Sequence, residues 1–293
     1  MRMASDNLRR LAAIRAETPR AVREAAAKRT RPESVLGANG RLMLIAADHP
    51  ARGILRAGQD AMAMADRSEY LERVCVALGR PGVNGVLGTP DILEDLLLLG
   101  ALDCKFVVGS MNRAGLADSM FEIDDRFTAF DAQSLLDACF DGGKMLTRID
   151  PEDPSTPAAL EACGHAVSEL AQHGLMAMVE PFISARNSGR LRNEITPQAM
   201  IQAIVVASGL GNTSAFTWLK VPIVDDMERV MRSSSLPAVI LGGEVSVDPD
   251  DVYESWRRAL ALPTVKGLAV GRSLLYPHDG NVENAVDIAV SLL

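Results

Sequence analysis

The sequence predicts a (β/α)8 barrel preceded by an N-terminal helical extension. Eight short apolar runs, at residues 41–47, 85–87, 105–108, 144–149, 175–179, 216–221, 238–241 and 267–270, have the length of buried strands. Amphipathic stretches at 68–78, 91–99, 132–140, 157–172, 197–208, 225–233 and 249–261 alternate with them, the pattern of consecutive βαβ units. Residues 41–293 also match the roughly 250 residues of such a barrel, and eight strands favour a closed barrel over an open doubly wound sheet.

Residues 1–40 carry eight arginines and one lysine against four acids, a net +5, which leaves −13 for the rest of a chain of net charge −8. Leu8, Leu11, Ala12, Ile14 and Arg15 recur at helical spacing. This segment is expected to close one end of the domain or to join a subunit contact. Residues 41–293 then form the barrel, with no composition shift that would mark a second domain. Helix starts are signalled by Ser155-Thr156-Pro157, Thr196-Pro197 and Asp248-Pro249, each a capping residue followed by proline in the first turn.

Composition narrows the function classes. An apolar content of 48% supports a substantial core, and with aromatics at 4% that core must be filled by Ala, Val, Leu and Met. A pI near 5.1 argues against a general nucleic-acid or membrane-surface binder, while leaving room for a local basic pocket. Cys75, Cys104, Cys139 and Cys163 lack Cys-x-x-Cys or zinc spacing and read as reduced thiols of a cytoplasmic protein. The longest apolar stretch, 92–102, is short for a membrane span and contains acids. The four histidines (49, 165, 173 and 278) are scattered, so no metal site is expected.

A barrel carries its active site at the carboxyl ends of its strands. The first strand ends in Asp48, His49 and Arg52, the second in Gly88 and Thr89, and the third in Gly-Ser-Met-Asn-Arg, residues 109–113. The fourth opens with Lys144 and closes with Arg148 and Asp150, and the fifth ends in Glu180 before Pro181. The sixth carries Lys220, the seventh ends in Leu-Gly-Gly-Glu, residues 241–244, and the eighth in Val-Gly-Arg-Ser, residues 270–273.

Lys220 stands out among these. The chain has five lysines among 30 cations, so a lysine inside an apolar strand calls for chemistry that arginine cannot supply. A desolvated lysine can lose its proton and attack a carbonyl, whereas arginine stays protonated. The alternative is a lysine snorkelling from a strand end into solvent. Lys144, if it shares the cavity, favours a neutral amine nearby by like-charge repulsion, or instead serves as a structural partner of Asp48 or Glu180. Glu180 and Asp48 each read as proton-transfer groups or as salt-bridge partners, and His49 as a turn cap. Gly242, Gly243 and Gly271 with Arg272 lie where phosphate-using barrels bind phosphate; glycine admits an anion close to the backbone N–H groups, although paired glycines also simply turn a chain. The polar, basic segment 184–192 reads as a mobile lid or as an ordinary solvated loop.

These residues, with Ala-Asp-His at the first strand, Glu-Pro at the fifth, Leu-Lys-Val at the sixth, Leu-Gly-Gly at the seventh and Ala-Val-Gly-Arg at the eighth, resemble class I aldolases of the deoxyribose-phosphate, archaeal-type fructose-bisphosphate and tagatose-bisphosphate aldolase superfamily. The resemblance spans roughly residues 40–293. Residues 237–243 and 267–273 look like the archaeal-type branch, whereas Lys144 with Asp150-Pro151 and Val179-Glu180-Pro181 look like tagatose-bisphosphate aldolase. It implies Lys220 as the Schiff-base lysine, Asp48, Lys144 and Glu180 as the polar catalytic set, and Gly242, Gly243, Gly271 and Arg272 as the phosphate site. Glu180 replaces the tyrosine of the archaeal-type enzymes, and His-Pro-Ala-Arg at 49–52 matches neither branch. The chain also resembles aldolase-like barrels of actinobacterial sugar or inositol catabolism, which implies 5-dehydro-2-deoxygluconate 6-phosphate as a candidate substrate.

The expected function is therefore a cofactor-free class I aldolase that acts on a phosphorylated sugar or sugar acid and releases dihydroxyacetone phosphate. Arg52 or Arg148 would meet a carboxylate on the aldehyde half. A homo-oligomer is expected. A transaldolase or aldol synthase using the same lysine is a second reading, and a catalytically silent barrel that binds a sugar phosphate is a third.

Overall fold

Eight parallel strands close on themselves in the computed structural model, which describes the chain apart from residues 1, 113–118, 120–122, 244 and 246–248, and only the backbone of residues 2–5. The strands are β1 (Leu42–Ala47), β2 (Gly85–Gly88), β3 (Phe106–Ser110), β4 (Gly142–Ile149), β5 (Met176–Asn187), β6 (Arg190–Asn193), β7 (Thr217–Val221), β8 (Ala238–Leu241) and β9 (Val265–Val270). Each strand of the parallel set pairs with its sequence neighbours, the β1–β9 and β4–β5 pairings complete the ring, and β6 is antiparallel to the far end of β5, outside the eight. The (β/α)8 barrel expected from the apolar runs is the observed fold.

The runs form strands because they are buried on both faces. One face packs against the surrounding helices in a large apolar layer that includes Met43, Ile45, Val86, Val107, Val179 and Val270. The opposite, inward face is a separate cluster of Leu42, Leu44, Ala46, Leu87, Phe106, Val108, Met176, Met178, Val239 and Ala269. Side chains alternate along a strand, so the inward series continue by parity into polar residues: Asp48 after Ala46, Ser110 after Val108, Glu180 after Met178, and Lys220 after Trp218. The barrel interior is therefore apolar below and polar at the carboxyl end.

The N-terminal segment divides into two parts. Helices Arg2–Glu17 and Ala21–Lys28 lie outside the barrel, against helices Arg67–Gly79 and Pro90–Leu98. Non-helical residues then close the lower mouth, where Val35 and Leu36 pack on the inward apolar cluster. Arg29 locks this passage. Its buried guanidinium donates to the carbonyls of Leu102, Cys139 and Lys105 and, at 2.7 Å, to Asp141 Oδ2. Asp141 also accepts from Arg31 Nε and from the backbone N–H of Val107, each at 2.8 Å.

Several elements differ from expectation. The 132–140 helix stops at Asp137, and Cys139 turns the chain with a left-handed φ of 55°. The 225–233 helix shrinks to Met227–Met231, entered through left-handed Asp226. The segment 184–192 is the β5–β6 hairpin rather than a loop. Helix Val282–Ser291 closes the chain after β9 and was not anticipated. Thr196 caps its helix through the N–H of Ala199, whereas Ser155 makes no side-chain cap; Thr156 Oγ1 donates instead to Asp150 O at 2.6 Å. Asp248 lies outside the described residues. The four cysteines are free thiols, and among the described residues no helix is long and apolar enough to cross a membrane.

Arg29→Ala leaves Asp141 buried with part of its compensation removed, and breaking such a pair costs about 3–5 kcal/mol. Urea unfolding should show that loss as a lower midpoint at an unchanged slope; an unchanged midpoint would mean that the lower closure does not depend on Arg29.

Candidate active site

β5 lies between β4 and β7, and this order builds the site. Lys144 pairs in register with Ser110 on β3 and Met178 on β5, and Glu180 with Leu146 on β4. The Val179–Leu219 pairing brings Glu180 level with Lys220. Glu180 thus faces one lysine on each side: its Oε2 is 2.5 Å from Lys144 Nζ and its Oε1 accepts from Lys220 Nζ at 2.9 Å. Lys144 Nζ also donates to Asp48 Oδ2 at 3.2 Å, and Ser110 Oγ stands 3.5 Å from the same oxygen. Asp48, Lys144, Glu180 and Lys220 are all buried.

Two lysines and two acidic side chains therefore share one buried site. Burial disfavours the Lys144 charge, but Asp48 and Glu180 outweigh it and hold Lys144 above its ordinary value. Burial likewise pushes the Glu180 carboxyl up, yet Lys144 and Lys220 bring it down to about 2. Like-charge repulsion between the lysines, the expectation from sequence, is thus answered by a carboxylate between them. The snorkelling alternative does not hold, since Lys220 Nζ points into the barrel interior.

A cavity of about 390 Å³ opens above this set. All ten sequence-predicted residues line it: Asp48, Lys144, Glu180 and Lys220 at its floor, Gly242, Gly243, Gly271 and Arg272 after β8 and β9, and Arg52 and Arg148. Gly243 has a left-handed φ of 67°, and a Cβ on Gly271 would lie 2.3 Å from Ala46 O, so a side chain is strained at the first and excluded at the second. Arg113 and Glu244 fall outside the described residues. Among the described residues no group of three or more His, Cys, Asp or Glu side chains is arranged to hold a metal ion.

Further residues in and beside the cavity were given another role by the sequence or none. His49 makes no side-chain cap for the turn Pro50–Arg52, contrary to the sequence reading. It lines the cavity, with Nδ1 3.9 Å from Asp48 Oδ1. Burial lowers its pKa to about 4, with Arg272 and Lys220 adding to that effect against Asp48, so the imidazole is neutral at neutral pH. Asp125, in the connection after β3, is buried and bound by Arg148 through Nε at 2.8 Å and NH2 at 2.6 Å. Arg52 NH1 lies 3.9 Å from the same carboxylate. No periodicity marks Asp125 in the sequence; its signal is only an acid in a connection at the barrel's carboxyl end. The hairpin brings Leu191, Arg192 and Asn193 to the rim, and Ser184 Oγ donates to Asn193 Oδ1 at 2.9 Å.

The model of the Cgl0159-like family matches residues 40–290. The crystal structure of Cgl0159 from Corynebacterium glutamicum is 49% identical, superposes with a TM-score of 0.95, and the match covers 98% of this chain and 96% of that one. A Schiff-base-forming fructose-1,6-bisphosphate aldolase shares the fold at 16% identity and a TM-score of 0.65, over 92% of this chain and 99% of its own. An archaeal fructose-1,6-bisphosphate aldolase with its catalytic lysine bound to the carbinolamine intermediate does so at 16% and 0.63, over 92% and 97%. No curated protein matches the chain by sequence.

Stability should carry the imprint of Glu180. Its pKa falls from an ordinary 4.5 to about 2 on folding, so its contribution is full above pH 4.5 and is lost as pH falls toward 2. Unfolding titrations of wild type and Glu180→Gln between pH 7 and 3 should show the wild-type advantage shrinking below about pH 4.5. A constant difference across that range would contradict the ion-paired carboxylate.

Proposed function

The chain belongs to the Cgl0159-like family, and we propose that it is a class I aldolase, a lyase acting on a phosphorylated sugar or sugar acid through an iminium on Lys220. The observation that carries this reading is Lys220 Nζ at 2.9 Å from Glu180 Oε1, with Lys144 on the other carboxylate oxygen, at the floor of a cavity rimmed by glycines and arginines. The aldolase fold of the structural neighbours agrees with it; their Schiff-base chemistry is part of the proposal here.

Each proposed role follows from position. Glu180 takes a proton from Lys220 as the substrate carbonyl arrives, which leaves an amine with a free electron pair. That amine adds to the ketone carbon to give a carbinolamine. Glu180 returns the proton to the carbinolamine hydroxyl, which departs as water and leaves the iminium. Asp48, the second carboxylate, removes the proton of the substrate hydroxyl two carbons from the iminium carbon. The bond between that hydroxyl-bearing carbon and the carbon next to the iminium then breaks; its electrons form the enamine double bond as the C=N pair moves onto nitrogen, and an aldehyde is released. Protonation and hydrolysis of the enamine free dihydroxyacetone phosphate. Lys144 holds both carboxylates, keeping Asp48 and Glu180 apart and oriented.

The phosphate is placed on the backbone of Gly242, Gly243 and Gly271, with Arg272 adding charge. This would anchor the enamine half and set its carbonyl carbon over Lys220. The candidate 5-dehydro-2-deoxygluconate 6-phosphate has the required phosphate and ketone, and serves as the first cleavage substrate to try.

Borohydride reduction in the presence of dihydroxyacetone phosphate, read by peptide mass spectrometry, tests the assignment. A stable adduct on Lys220 is expected, and Lys220→Arg should remove both adduct and turnover with the fold intact by circular dichroism. Glu180→Gln should lower kcat by about 10²–10⁴-fold. An adduct on Lys144 would exchange the two lysines' roles, and bound ligand with no adduct would exclude Schiff-base chemistry.

A further inference from the structure

We propose that His49 is a further catalytic residue, the group that protonates the enamine carbon with a proton handed to it by Asp48. The inference deepens the aldolase reading and rests on it for the enamine.

One step of that reaction has no donor assigned to it. When the C–C bond breaks, Asp48 holds the proton of the substrate hydroxyl and the enamine carbon needs one. Glu180 has already returned its proton to the carbinolamine hydroxyl, and its two oxygens face the nitrogens of Lys144 and Lys220. The proton is therefore on Asp48, whose oxygens have different neighbours. Oδ2 stands 3.2 Å from Lys144 Nζ and 3.5 Å from Ser110 Oγ, whereas Oδ1 lies 3.9 Å from His49 Nδ1.

The imidazole is set for a relay. Its Nδ1 is buried and has no hydrogen-bond partner among the described residues, a cost that buried polar atoms normally avoid. The ring nevertheless lines the cavity, so Nε2 is the nitrogen it offers to a ligand. A ring with one nitrogen toward a carboxylate and the other toward the cavity can take a proton on one side and give one on the other. Catalytic contacts of this kind commonly tighten only when the substrate is bound.

The ring also stands where the reacting carbons must pass. A Cβ on Gly271 would come within 3.1 Å of His49 Cε1, so the imidazole rests on the wall proposed for the phosphate. Lys220 and Arg272 are near enough to act on its charge. A substrate anchored at Gly271 and bonded to Lys220 therefore runs past the ring. Burial and these two cations keep the imidazole neutral, with its pKa at about 4. A relay suits that setting, because the ring passes a proton on without holding a full charge of its own.

The transfer balances. Asp48 O–H gives its proton to Nδ1 as Nε2–H gives its own to the enamine carbon. The C=C pair forms the new C–H bond, and the nitrogen pair re-forms the iminium C=N. Asp48 ends as a carboxylate and the ring as its other neutral tautomer. After the product leaves, Asp48 takes the Nδ1 proton and releases it to cavity water while water protonates Nε2, which restores both groups.

Hydrogen exchange into dihydroxyacetone phosphate alone tests the relay without the aldehyde half. In heavy water the wild type should replace a hydrogen of the hydroxymethyl carbon, read by proton NMR, by running the relay backwards. His49→Gln keeps a hydrogen-bond donor near the position of Nε2 but cannot carry a proton through. Its borohydride adduct on Lys220 should persist while exchange falls about 10²-fold or more. His49→Ala should lose exchange likewise and regain it when imidazole is added. Exchange that persists in His49→Gln would make the ring a hydrogen-bond donor only and overturn the relay. Loss of the adduct in both variants would overturn it too, as would an alanine variant that imidazole fails to restore. A wild type with no adduct sinks the aldolase reading, and the relay with it; an adduct whose exchange ignores His49 sinks the relay alone.

Discussion

Charge balance in the upper barrel is the constraint on which the rest of the molecule depends. Two lysines and two carboxylates are buried together there, and each would be costly to bury alone. They coexist because the ring order β4–β5–β7 places one carboxylate between two ammonium groups and the register of β3 and β4 places Asp48 beside Lys144. A single-residue slip of β5 would turn Glu180 out toward the helices and strand both lysines. Strand register and site electrostatics are therefore one specification, and the apolar alternation below Glu180 and Lys220 enforces it.

The two ends of the barrel solve opposite problems. At the carboxyl end, buried charge is arranged around a cavity. At the amino end, the charges of Arg29 and Asp141 are spent on backbone: three carbonyls, one N–H and each other. The polar groups at strand ends, which would otherwise be capped by water, are satisfied by the chain that precedes β1. This is a reason for a basic, arginine-rich leader segment on an acidic barrel. It also follows the usual division of such folds, with stability at the lower face and chemistry at the upper.

Much of this was legible in the sequence. Short apolar runs bounded by turn residues announced the strands, and polar residues within two of them (Lys144, Lys220) or just beyond two others (Asp48, Glu180) announced the cavity floor. Lys220 was conspicuous because arginine is the default cation of the chain. The rest lacked a periodic signal. Asp125 is a single acid in a polar connection, and nothing in its neighbours says that it will bind an arginine from β4. Residues 184–192 are polar and basic, which describes a solvated loop as well as the hairpin that forms. Cys139 and Asp226 end or start helices by adopting left-handed backbone, a conformation no residue preference would assign to cysteine. His49 was discounted because a histidine before proline suggests a turn cap, and its burial beside Arg272 and Lys220 is a tertiary fact.

β5 continues well past the barrel. Its 12 residues carry Glu180 in the middle and the hairpin at the end. Its pairing passes from β4, up to Ile183, to β6, from Ser184 on, without a skipped residue. The rim and the floor are thus parts of one continuous strand. The carboxylate between the lysines at the cavity floor and the hairpin at its rim are therefore joined by a single strand. The number of residues between Glu180 and the turn of the hairpin therefore sets the height of the rim above the charged floor, and a change in one strand's length alters the depth of the whole cavity.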